Sequence, residues 1–229
     1  MTASTETLTA LGEYALRYVK PGAKLGLGTG HAASGFIRAL GKSGMKVGGV
    51  PTSKASETLA RECGIEILNL ADVDRLDVAI DGADEVDPRL NLVKGWGGAL
   101  VREKIVAQSA RKFVVVVGDE KLVKRLGQRG KLPVEVVPFA QPLCTRRIKA
   151  LGLKPKVRVN DDGSEFLSDN GNLILDCETK PITSPARLDR ELLSIPGVVG
   201  TGIFIAMADR VLVAGADGKI RVLNRTKPR

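Results

Sequence analysis

The sequence predicts an α/β protein in which a mostly parallel sheet carries helices on both faces and is accompanied by a smaller α+β lobe. Three observations predict this class. In the first half of the chain, short apolar runs alternate with segments of helical periodicity. Residues 113–117 form a valine-rich run, which is typical of a strand buried on both faces. From about Lys131 the strands are shorter, and hairpin-like turns occur between them.

The N-terminal half supplies the parallel sheet. An apolar stripe at spacings of three and four residues predicts an amphipathic helix over 5–19. The stripe consists of Leu8, Leu11, Ala15 and Tyr18. Pro51-Thr52-Ser53 is a capping signature for a helix that runs to about Cys63. Strands are predicted at 24–28, 45–50, 65–68, 76–80 and 113–117, and further helices at 32–40 and 99–110.

The C-terminal half predicts the smaller lobe and then a return to the sheet. Strands are predicted at 134–137, 156–159 and 173–176, and helices at 142–151 and 185–194. Hairpin-like turns are predicted at Asp161-Asp162-Gly163 and Asp169-Asn170-Gly171. The tail is expected to complete the first domain with strands at 202–205, 210–214 and 220–223.

Composition excludes several classes of protein. The chain has 229 residues, one histidine and three cysteines. A His-rich zinc site is therefore impossible, and a Ser-His-Asp system would have to use His31. The cysteines are far apart and form no CxxC pair, so we expect reduced thiols. No apolar run approaches the roughly 18 residues of a membrane helix, and no signal-peptide pattern is present. We therefore expect a cytoplasmic protein.

The net charge of +9 fits nucleic acid, an anionic small substrate or plain solubility. Aromatic residues make up 3% of the chain, which argues against a protein that stacks single-stranded bases. The densest basic stretch, 145–159, contains no acidic residue, and we interpret it as a solvated surface. Its basic residues are Arg146, Arg147, Lys149, Lys154, Lys156 and Arg158.

A glycine-rich turn follows the first predicted strand. Residues 28–33, Gly-Thr-Gly-His-Ala-Ala, match the dinucleotide-binding fingerprint. That fingerprint needs an acid about 20 residues further on, and no Asp or Glu occurs between Tyr14 and Ser56. The sequence therefore favours an anion site, with backbone N–H groups and the Thr29 hydroxyl directed at a phosphate. The alternative is that the glycines only allow a tight turn.

An acidic turn, residues 81–88, follows the strand predicted at 76–80. Asp81 and Asp84 flank the small pair Gly82-Ala83 at a strand C-terminus, the edge of a parallel sheet where ligands bind. Two alternatives stay open. The acids could bind Ca²⁺ or Mg²⁺, although their spacing is not that of a calcium loop, or they could form a solvated turn.

A lysine-containing glycine loop and a glutamate come next. Three glycines surround Lys94 and Trp96, which predicts a loop that a ligand approaches closely. In the following helix, Glu103 lies within an apolar stripe. A carboxylate in such a position is unfavourable unless it is paired or functional, and burial suits a general base. The alternative is a structural ion pair. For His31, a proton-transfer role is less favoured than contact with phosphate or solvent.

Taken in order, these stretches resemble type A ribose-5-phosphate isomerases over nearly the whole chain. The most specific are residues 81–88, Asp-Gly-Ala-Asp-Glu-Val-Asp-Pro, and 99–106, Ala-Leu-Val-Arg-Glu-Lys-Ile-Val. The resemblance implies a doubly wound, Rossmann-like catalytic domain, 1–130 with 207–229, and an inserted ferredoxin-like α+β domain, 131–206. It also implies a homo-oligomer, either dimer or tetramer. Further support comes from 26–30, 51–53, Lys94-Gly95, 97–98, 121–123, 133–138, 169–172 and 196–199.

The family reaction interconverts D-ribose 5-phosphate and D-ribulose 5-phosphate without a cofactor or metal, in the non-oxidative pentose phosphate pathway. By resemblance, Glu103 is the base, and Asp81 assists ring opening and proton shuttling. Asp84 would hold substrate hydroxyls, and Lys94 would stabilise the enediolate. The resemblance implies that substrate is bound by Thr29, Gly30, His31, Ala32, Asp81, Gly82, Ala83, Asp84, Lys94, Gly95, Trp96, Gly97 and Lys121.

Several positions depart from the family pattern. His31 and Ala32 stand where the family has Ser and Thr, Trp96 interrupts the glycines, and Gly118-Asp119-Glu120-Lys121 replaces Asp-x-Ser-Lys. These departures bear on phosphate affinity and on the sugar. One alternative is therefore an isomerase of another phosphorylated aldose. A sugar-phosphate-sensing domain is the non-enzymatic alternative, but it would leave Glu103 unexplained.

Overall fold

The computed structural model describes residues 4–225. In chain order, the helices are α1 (Thr5–Ala15), α2 (His31–Ser43), α3 (Lys54–Glu62), α4 (Leu100–Gln108), α5 (Gln141–Ala150) and α6 (Pro185–Leu193). The strands are β1 (Lys24–Leu27), β2 (Gly48–Pro51), β3 (Glu66–Ile67), β4 (Val78–Asp81), β5 (Glu85–Val86), β6 (Leu92–Val93), β7 (Phe113–Gly118), β8 (Lys131–Val136), β9 (Lys154–Val157), β10 (Leu173–Glu178), β11 (Val198–Thr201), β12 (Ile203–Phe204), β13 (Arg210–Ala214) and β14 (Ile220–Asn224).

The chain divides into two compact units. The first unit takes the chain up to Ala83, then Arg102–Leu122, and then the chain from Ala206 onward. The second unit takes Asp84–Val101 and Val123–Ile205. Both units are therefore discontinuous in sequence. The predicted domain ranges, 1–130 with 207–229 and 131–206, stay a prediction.

A seven-stranded sheet, in the order β14-β13-β7-β4-β1-β2-β3, is the centre of the first unit. Only β14 pairs antiparallel, so the sheet is mostly parallel, as predicted. Leu25 and Leu27 of β1 pack in one apolar core with Phe36 of α2. The intervening Gly26 turns to the opposite face, where a Cβ would meet Val106 of α4. Helices therefore cover both faces.

The second unit contains two antiparallel sheets. The larger, in the order β11-β8-β10-β9, shares an apolar core with α5 and α6. The smaller has the order β12-β6-β5. Both predicted hairpin turns are present, because isolated antiparallel bridges join Val159 to Glu165 and Leu167 to Leu173.

Two predictions about elements were wrong, and three short strands were missed. The strand predicted at 202–205 does not complete the parallel sheet; it is β12, which pairs with β6 in the second unit. The first helix ends at Ala15 and gives way to a 3₁₀ turn over Leu16–Tyr18. The short strands β5, β6 and β11 were not predicted, because two to four residues are too few to show an alternating pattern. Within residues 4–225, no helix combines the length and apolarity that crossing a membrane requires.

Candidate active site

The glycine turn lies between β1 and α2 in the first unit, and its geometry requires two of its glycines. A Cβ on Gly28 would collide with the carboxylate of Asp81. Gly30 has a φ of +99° and is the residue that precedes α2. L side chains rarely adopt that backbone conformation. The turn is therefore both close to Asp81 and dependent on glycine at its end.

Asp81 ends β4, next to β1 in the sheet, and is 2% exposed. Its Oδ1 accepts hydrogen bonds from the backbone N–H of Thr29 at 3.0 Å and of Gly82 at 2.7 Å. Two segments that the sequence analysis singled out separately, the glycine turn and the acidic turn, are thus joined through Asp81. The two bonds fix the orientation of its carboxylate.

Thr29 is connected to the start of α3 by its hydroxyl group. The Oγ1 atom lies 2.7 Å from Thr52 Oγ1 and donates to Ser53 Oγ, also at 2.7 Å. Ser53 is the N-cap of α3 in a capping box with Ser56. The sequence marks Ser53 as a helix cap and as part of a stretch that supports the resemblance, but it does not show the bond with Thr29. The Pro51-Thr52-Ser53 motif was the available signal.

The N-terminus of α2 has the features of an anion site. No side chain caps this end, and the first turn contains no acidic residue. Its helix dipole favours a negative group there. His31, the first residue of the helix, is exposed, and Ala32 is half-buried. The predicted binding residue Lys121 is half-buried and ends the 3₁₀ turn that follows β7.

Glu103 lies in the first turn of α4 and is 5% exposed. Its helix neighbours Leu100, Val106 and Ala107 are buried as well. The prediction that this carboxylate sits within the apolar stripe is therefore correct. The solvated-turn alternative for residues 81–88 is wrong for two of its acids, since Asp81 is 2% and Glu85 0% exposed.

Lys94 lies in the second unit and is 2% exposed. Its backbone N–H donates to the Gly202 carbonyl at 2.9 Å, and its Nζ lies 5.7 Å from the centre of the Phe204 ring. The loop that follows turns at Gly95 and Gly98, with φ of +98° and +88°. We call residues 94–98 the lysine loop. The segment is a loop, as predicted, and its backbone favours glycine at positions 95 and 98.

Asp84 and Trp96 are connected within the second unit. Asp84 is half-buried, and its Oδ2 accepts from the Trp96 N–H at 2.9 Å. The indole Nε1 donates to the Lys131 carbonyl at 3.2 Å. The cationic groups of Arg129 and Lys131 lie 5.2 and 5.1 Å from the centre of the indole ring. Trp96 is therefore held at its backbone, its Nε1 and its ring.

Arg158 is placed differently from our expectation for the basic stretch 145–159. The side chain is 10% exposed and is paired with Asp176, with Nη2 and Oδ1 2.6 Å apart. Arg158 Nη1 also donates to the Trp96 carbonyl at 3.0 Å. The solvated-surface interpretation is wrong for this residue, while Arg146 and Lys149 are exposed. No local signal separates Arg158 from its neighbours.

Glu85 has a structural role in the second unit. Its carboxylate accepts backbone N–H bonds from Gly127 at 2.5 Å and from Arg129 at 2.6 Å. Burial raises the pKa of Glu85 above its ordinary value, and these two bonds act in the opposite direction. Among residues 4–225, no group of three His, Cys, Asp or Glu side chains is arranged to hold a metal ion.

Comparison with known proteins adds the family. The model of ribose 5-phosphate isomerase A (phosphoriboisomerase A) matches residues 48–218. Ribose-5-phosphate isomerase A of Roseiflexus sp. (strain RS-1) is 49% identical over 215 residues, which cover 92% of each chain. The chain belongs to the ribose 5-phosphate isomerase A family.

Solved ribose-5-phosphate isomerases share the fold of this chain. One, a D-ribose-5-phosphate isomerase in complex with phospho-erythronic acid, has a TM-score of 0.93 at 38% identity, covering 97% of this chain and 100% of its own. Ribose 5-phosphate isomerase A from Neisseria gonorrhoeae has a TM-score of 0.92 at 38% identity, covering 99% and 100%. The predicted family, fold class and isomerase activity are confirmed.

In this member of the isomerase family, each unit brings some predicted site residues together. The first unit joins Thr29 to Asp81 directly. The second unit joins Asp84 to Trp96, next to Lys94 and Gly95 in the chain. The remaining predicted residues of the turns are exposed or half-buried: Gly30, His31, Ala32, Gly82, Ala83 and Gly97.

Proposed function

We propose that this chain interconverts D-ribose 5-phosphate and D-ribulose 5-phosphate through an enediolate, with Glu103 as the base. The observation that carries the proposal is the burial of the Glu103 carboxylate, 5% exposed, in the first turn of α4. Burial makes a carboxylate a stronger base, and abstraction of a proton next to a carbonyl needs a positioned base.

The reaction moves one carbon-bound proton. The Glu103 carboxylate removes the proton from C2 of the open-chain aldose, and the electron pair forms the C1–C2 double bond and leaves negative charge on O1. Protonated Glu103 then returns a proton to C1, while the O2 hydroxyl proton passes to O1. The product is the 2-ketose, and no electrons leave the substrate.

Asp81 opens the sugar ring and shuttles the hydroxyl proton in this proposal. The support is its fixed orientation: Oδ1 accepts from the N–H of Thr29 and of Gly82, and the residue is 2% exposed. A carboxylate held in one orientation can accept the anomeric hydroxyl proton without first reorganising. Asp84 binds substrate hydroxyls and, through Trp96, holds the lysine loop.

Lys94 stabilises the enediolate charge. A buried, fixed ammonium group acts more strongly on developing negative charge than the same group in water. The supporting observations are its 2% exposure and the hydrogen bond between its backbone N–H and the Gly202 carbonyl. Gly95, Trp96 and Gly97 belong to the same lysine loop and contribute to substrate binding.

The phosphate end of the substrate binds at the start of α2 and at Lys121. The support is the first turn of α2, which lacks acidic residues and a side-chain cap. Thr29 contributes mainly by shaping the turn, because its N–H donates to Asp81 and its hydroxyl donates to Ser53. His31 supplies a donor where the family pattern has a serine.

We also propose that the isomerase is a cytoplasmic homo-oligomer, a dimer or a tetramer. Phe139 is 97% exposed, and Val137 and Val199 are each 40% exposed in the same unit. Contact between copies of the chain would remove such apolar surface from water. All three cysteines are free, which suits a reducing compartment.

A substrate panel tests the activity. After treatment with EDTA, the protein is assayed with ribose 5-phosphate, arabinose 5-phosphate, glucose 6-phosphate and unphosphorylated ribose. We expect kcat/KM for ribose 5-phosphate to exceed that of every other sugar by at least about tenfold. Loss of activity with EDTA and recovery with Mg²⁺ would contradict the metal-independent mechanism.

The same panel tests the second candidate, an isomerase of another phosphorylated aldose. The observation that favours it is the position of His31, exposed at the start of α2, and of Trp96 in the lysine loop. A higher kcat/KM with arabinose 5-phosphate or glucose 6-phosphate would replace the proposed substrate. Phospho-erythronic acid, the ligand of the solved relative, should compete with ribose 5-phosphate.

A further inference from the structure

Arg158, the residue directly after β9, uses its guanidinium group to join Asp176 of β10 to the lysine loop. On one side, Nε and Nη2 donate to the two carboxylate oxygens of Asp176 at 2.9 and 2.6 Å. On the other side, Nη1 donates to the Trp96 carbonyl at 3.0 Å and Nη2 to the Gly95 carbonyl at 3.2 Å. A planar group with five donors can satisfy both sides at once.

The two carbonyls need these donors. The lysine loop belongs to no strand or helix, and Gly95 is buried, so its backbone groups are shielded from water. A buried carbonyl without a donor destabilises the conformation that contains it. Arg158 therefore stabilises this conformation of the loop, with φ of +98° at Gly95, over alternatives that turn the carbonyls toward solvent.

The surroundings keep Arg158 in place. Asp176 on β10 neutralises its charge and engages it with both oxygens, the strongest arrangement for this pair of side chains. Phe166 lies beside the guanidinium, and the centre of its ring is 5.5 Å from Arg158 Cζ. A Cβ on Gly98 would come within 2.5 Å of the Phe166 ring, so Phe166 also packs against the end of the lysine loop.

We propose that Arg158 is a positioning residue for the isomerisation: together with Asp176 it fixes the lysine loop and so places Lys94 for its action on the enediolate. The inference rests on the proposed role of Lys94. Arg158 is bonded to the residues directly after Lys94, while Gly202 holds the Lys94 backbone itself. A displaced lysine loop would place Lys94 poorly for charge stabilisation and would also weaken the substrate contacts of residues 95–97, so the loss should be larger in kcat than in KM.

Two variants at Arg158 test the proposal. We expect Arg158→Met to lower kcat about 10- to 100-fold and to raise KM by a smaller factor, because misplacement of Lys94 by about 1 Å has effects of this size. Arg158→Lys retains the charge but cannot engage both carbonyls and Asp176, so it should fall between Arg158→Met and the wild type. Unchanged kcat in Arg158→Met would overturn the proposal.

Lys154→Met is the matched control. Lys154 and Glu178 form an ion pair on the same two strands, β9 and β10, at 3.0 Å, but their side chains are 73% and 58% exposed. Such exposed pairs contribute little, so this variant should keep kcat within about twofold of the wild type. A loss equal to that of Arg158→Met would show that any disturbance of these strands impairs activity, and would overturn the proposal.

A double-mutant cycle separates this inference from the role of Lys94. If Arg158 acts through Lys94, Arg158→Met should have little further effect on kcat in a Lys94→Met background. Equal effects in both backgrounds would overturn the positioning role. A Lys94→Met single variant with wild-type kcat would instead overturn the assignment of Lys94, and with it the basis of this proposal.

Tryptophan fluorescence reports the lysine loop directly, because Trp96 is the only tryptophan of the chain. Arg158→Met should change the emission of Trp96 and its quenching by acrylamide, and Lys154→Met should not. Melting temperature and thiol labelling of Cys177, which is 0% exposed beside Asp176, check the fold. Labelling of Cys177 would show that the core of the second unit has opened. If kcat falls only in samples in which Cys177 becomes labelled, Arg158 has a purely structural role and the proposal is overturned.

Discussion

The glycine turn and the lysine loop are stabilised in opposite ways. In the glycine turn, an anionic side chain accepts from the backbone: Asp81 accepts a hydrogen bond from the N–H of Thr29. In the lysine loop, a cationic side chain donates to the backbone: Arg158 binds the carbonyls of Gly95 and Trp96. The glycine turn leads to an exposed His31, whereas the lysine loop contains the buried residues Lys94 and Gly95.

The difference suits two tasks. The glycine turn leads into an uncapped helix N-terminus next to an exposed His31, which is suited to binding an anion from solution. The lysine loop surrounds a buried ammonium group, which is suited to acting on charge that develops during a reaction. We therefore expect changes at the start of α2 to affect KM and changes at Lys94 to affect kcat.

Glu103 lies outside both segments, and its substitution should have the largest effect on kcat, against which the other variants are compared. Glu103→Gln should lower kcat by about 10² to 10⁴-fold, because the amide cannot accept the C2 proton. KM should change little, since the two side chains have the same shape. Steady-state kinetics in both directions of the reaction would measure it, and a near-normal kcat would remove Glu103 from the role of base.

Lys94→Met tests the lysine loop. Loss of one fixed group that stabilises an oxyanion reduces kcat by about 10² to 10³-fold, and we expect about 10²-fold here. Methionine is similar in length to the apolar part of the lysine side chain and carries no charge to bury, so the variant should fold. A change confined to KM would contradict the division of tasks, because it would place Lys94 in ground-state binding.

His31→Ser tests the glycine turn with the residue type of the family pattern. We expect kcat to stay within about twofold and KM to change by less than about tenfold, because the backbone N–H groups of α2 remain. The direction of the KM change shows whether His31 or Ser is the better hydrogen-bond donor to the substrate phosphate. A collapse of kcat would show that the histidine takes part in proton transfer.

Glu85→Gln concerns stability alone and is the smallest effect expected. Burial raises the pKa of Glu85 in the folded state above its ordinary value of 4.5. The folded state then binds this proton more tightly than the unfolded state, so the stabilisation is present below about pH 4.5 and is lost as pH rises through the folded pKa. The glutamine variant lacks this titration.

Melting temperatures between pH 4 and pH 7 provide the test. The advantage of the wild type over Glu85→Gln should be largest at the acidic end and shrink as pH rises. Glu165→Gln, which changes an exposed residue of the same unit, is the control and should show no such trend. A difference that grows with pH would mean that hydrogen bonds from Gly127 and Arg129 outweigh burial at Glu85.

The glycine turn was more predictable from the sequence than the lysine loop, because the residues that determine its structure are close to it in the chain. The glycines, the capping signature at Ser53 and the absence of acids up to Ser56 all lie within about 30 residues of β1 and were readable together. The burial of Glu103 was also predictable, since its carboxylate interrupts an apolar stripe of the helix. Parallel strands were predicted for the same reason, because burial on both faces demands continuous apolar runs.

Support of the lysine loop could not be predicted. Arg158 lies 62 residues from Trp96 and occurs among exposed basic residues, so nothing in its neighbourhood marks it as buried. The pairing partners of short strands cannot be predicted from the sequence pattern either. Residues 202–205 have the apolar character of a sheet strand, but whether that strand joins β6 or the large sheet depends on contacts that the pattern does not specify.

The discontinuity of the two units has a consequence for the order in which the protein can fold during synthesis. Strand β13 pairs with β7 in the large sheet, and the nearby bond from Phe113 N–H to Asp209 spans 96 residues. A ribosome must therefore release nearly the whole chain before the first unit can be completed. Until then β7 has an open edge. Chaperones, or completion of the sheet before two chains meet, would keep that edge from pairing with another molecule.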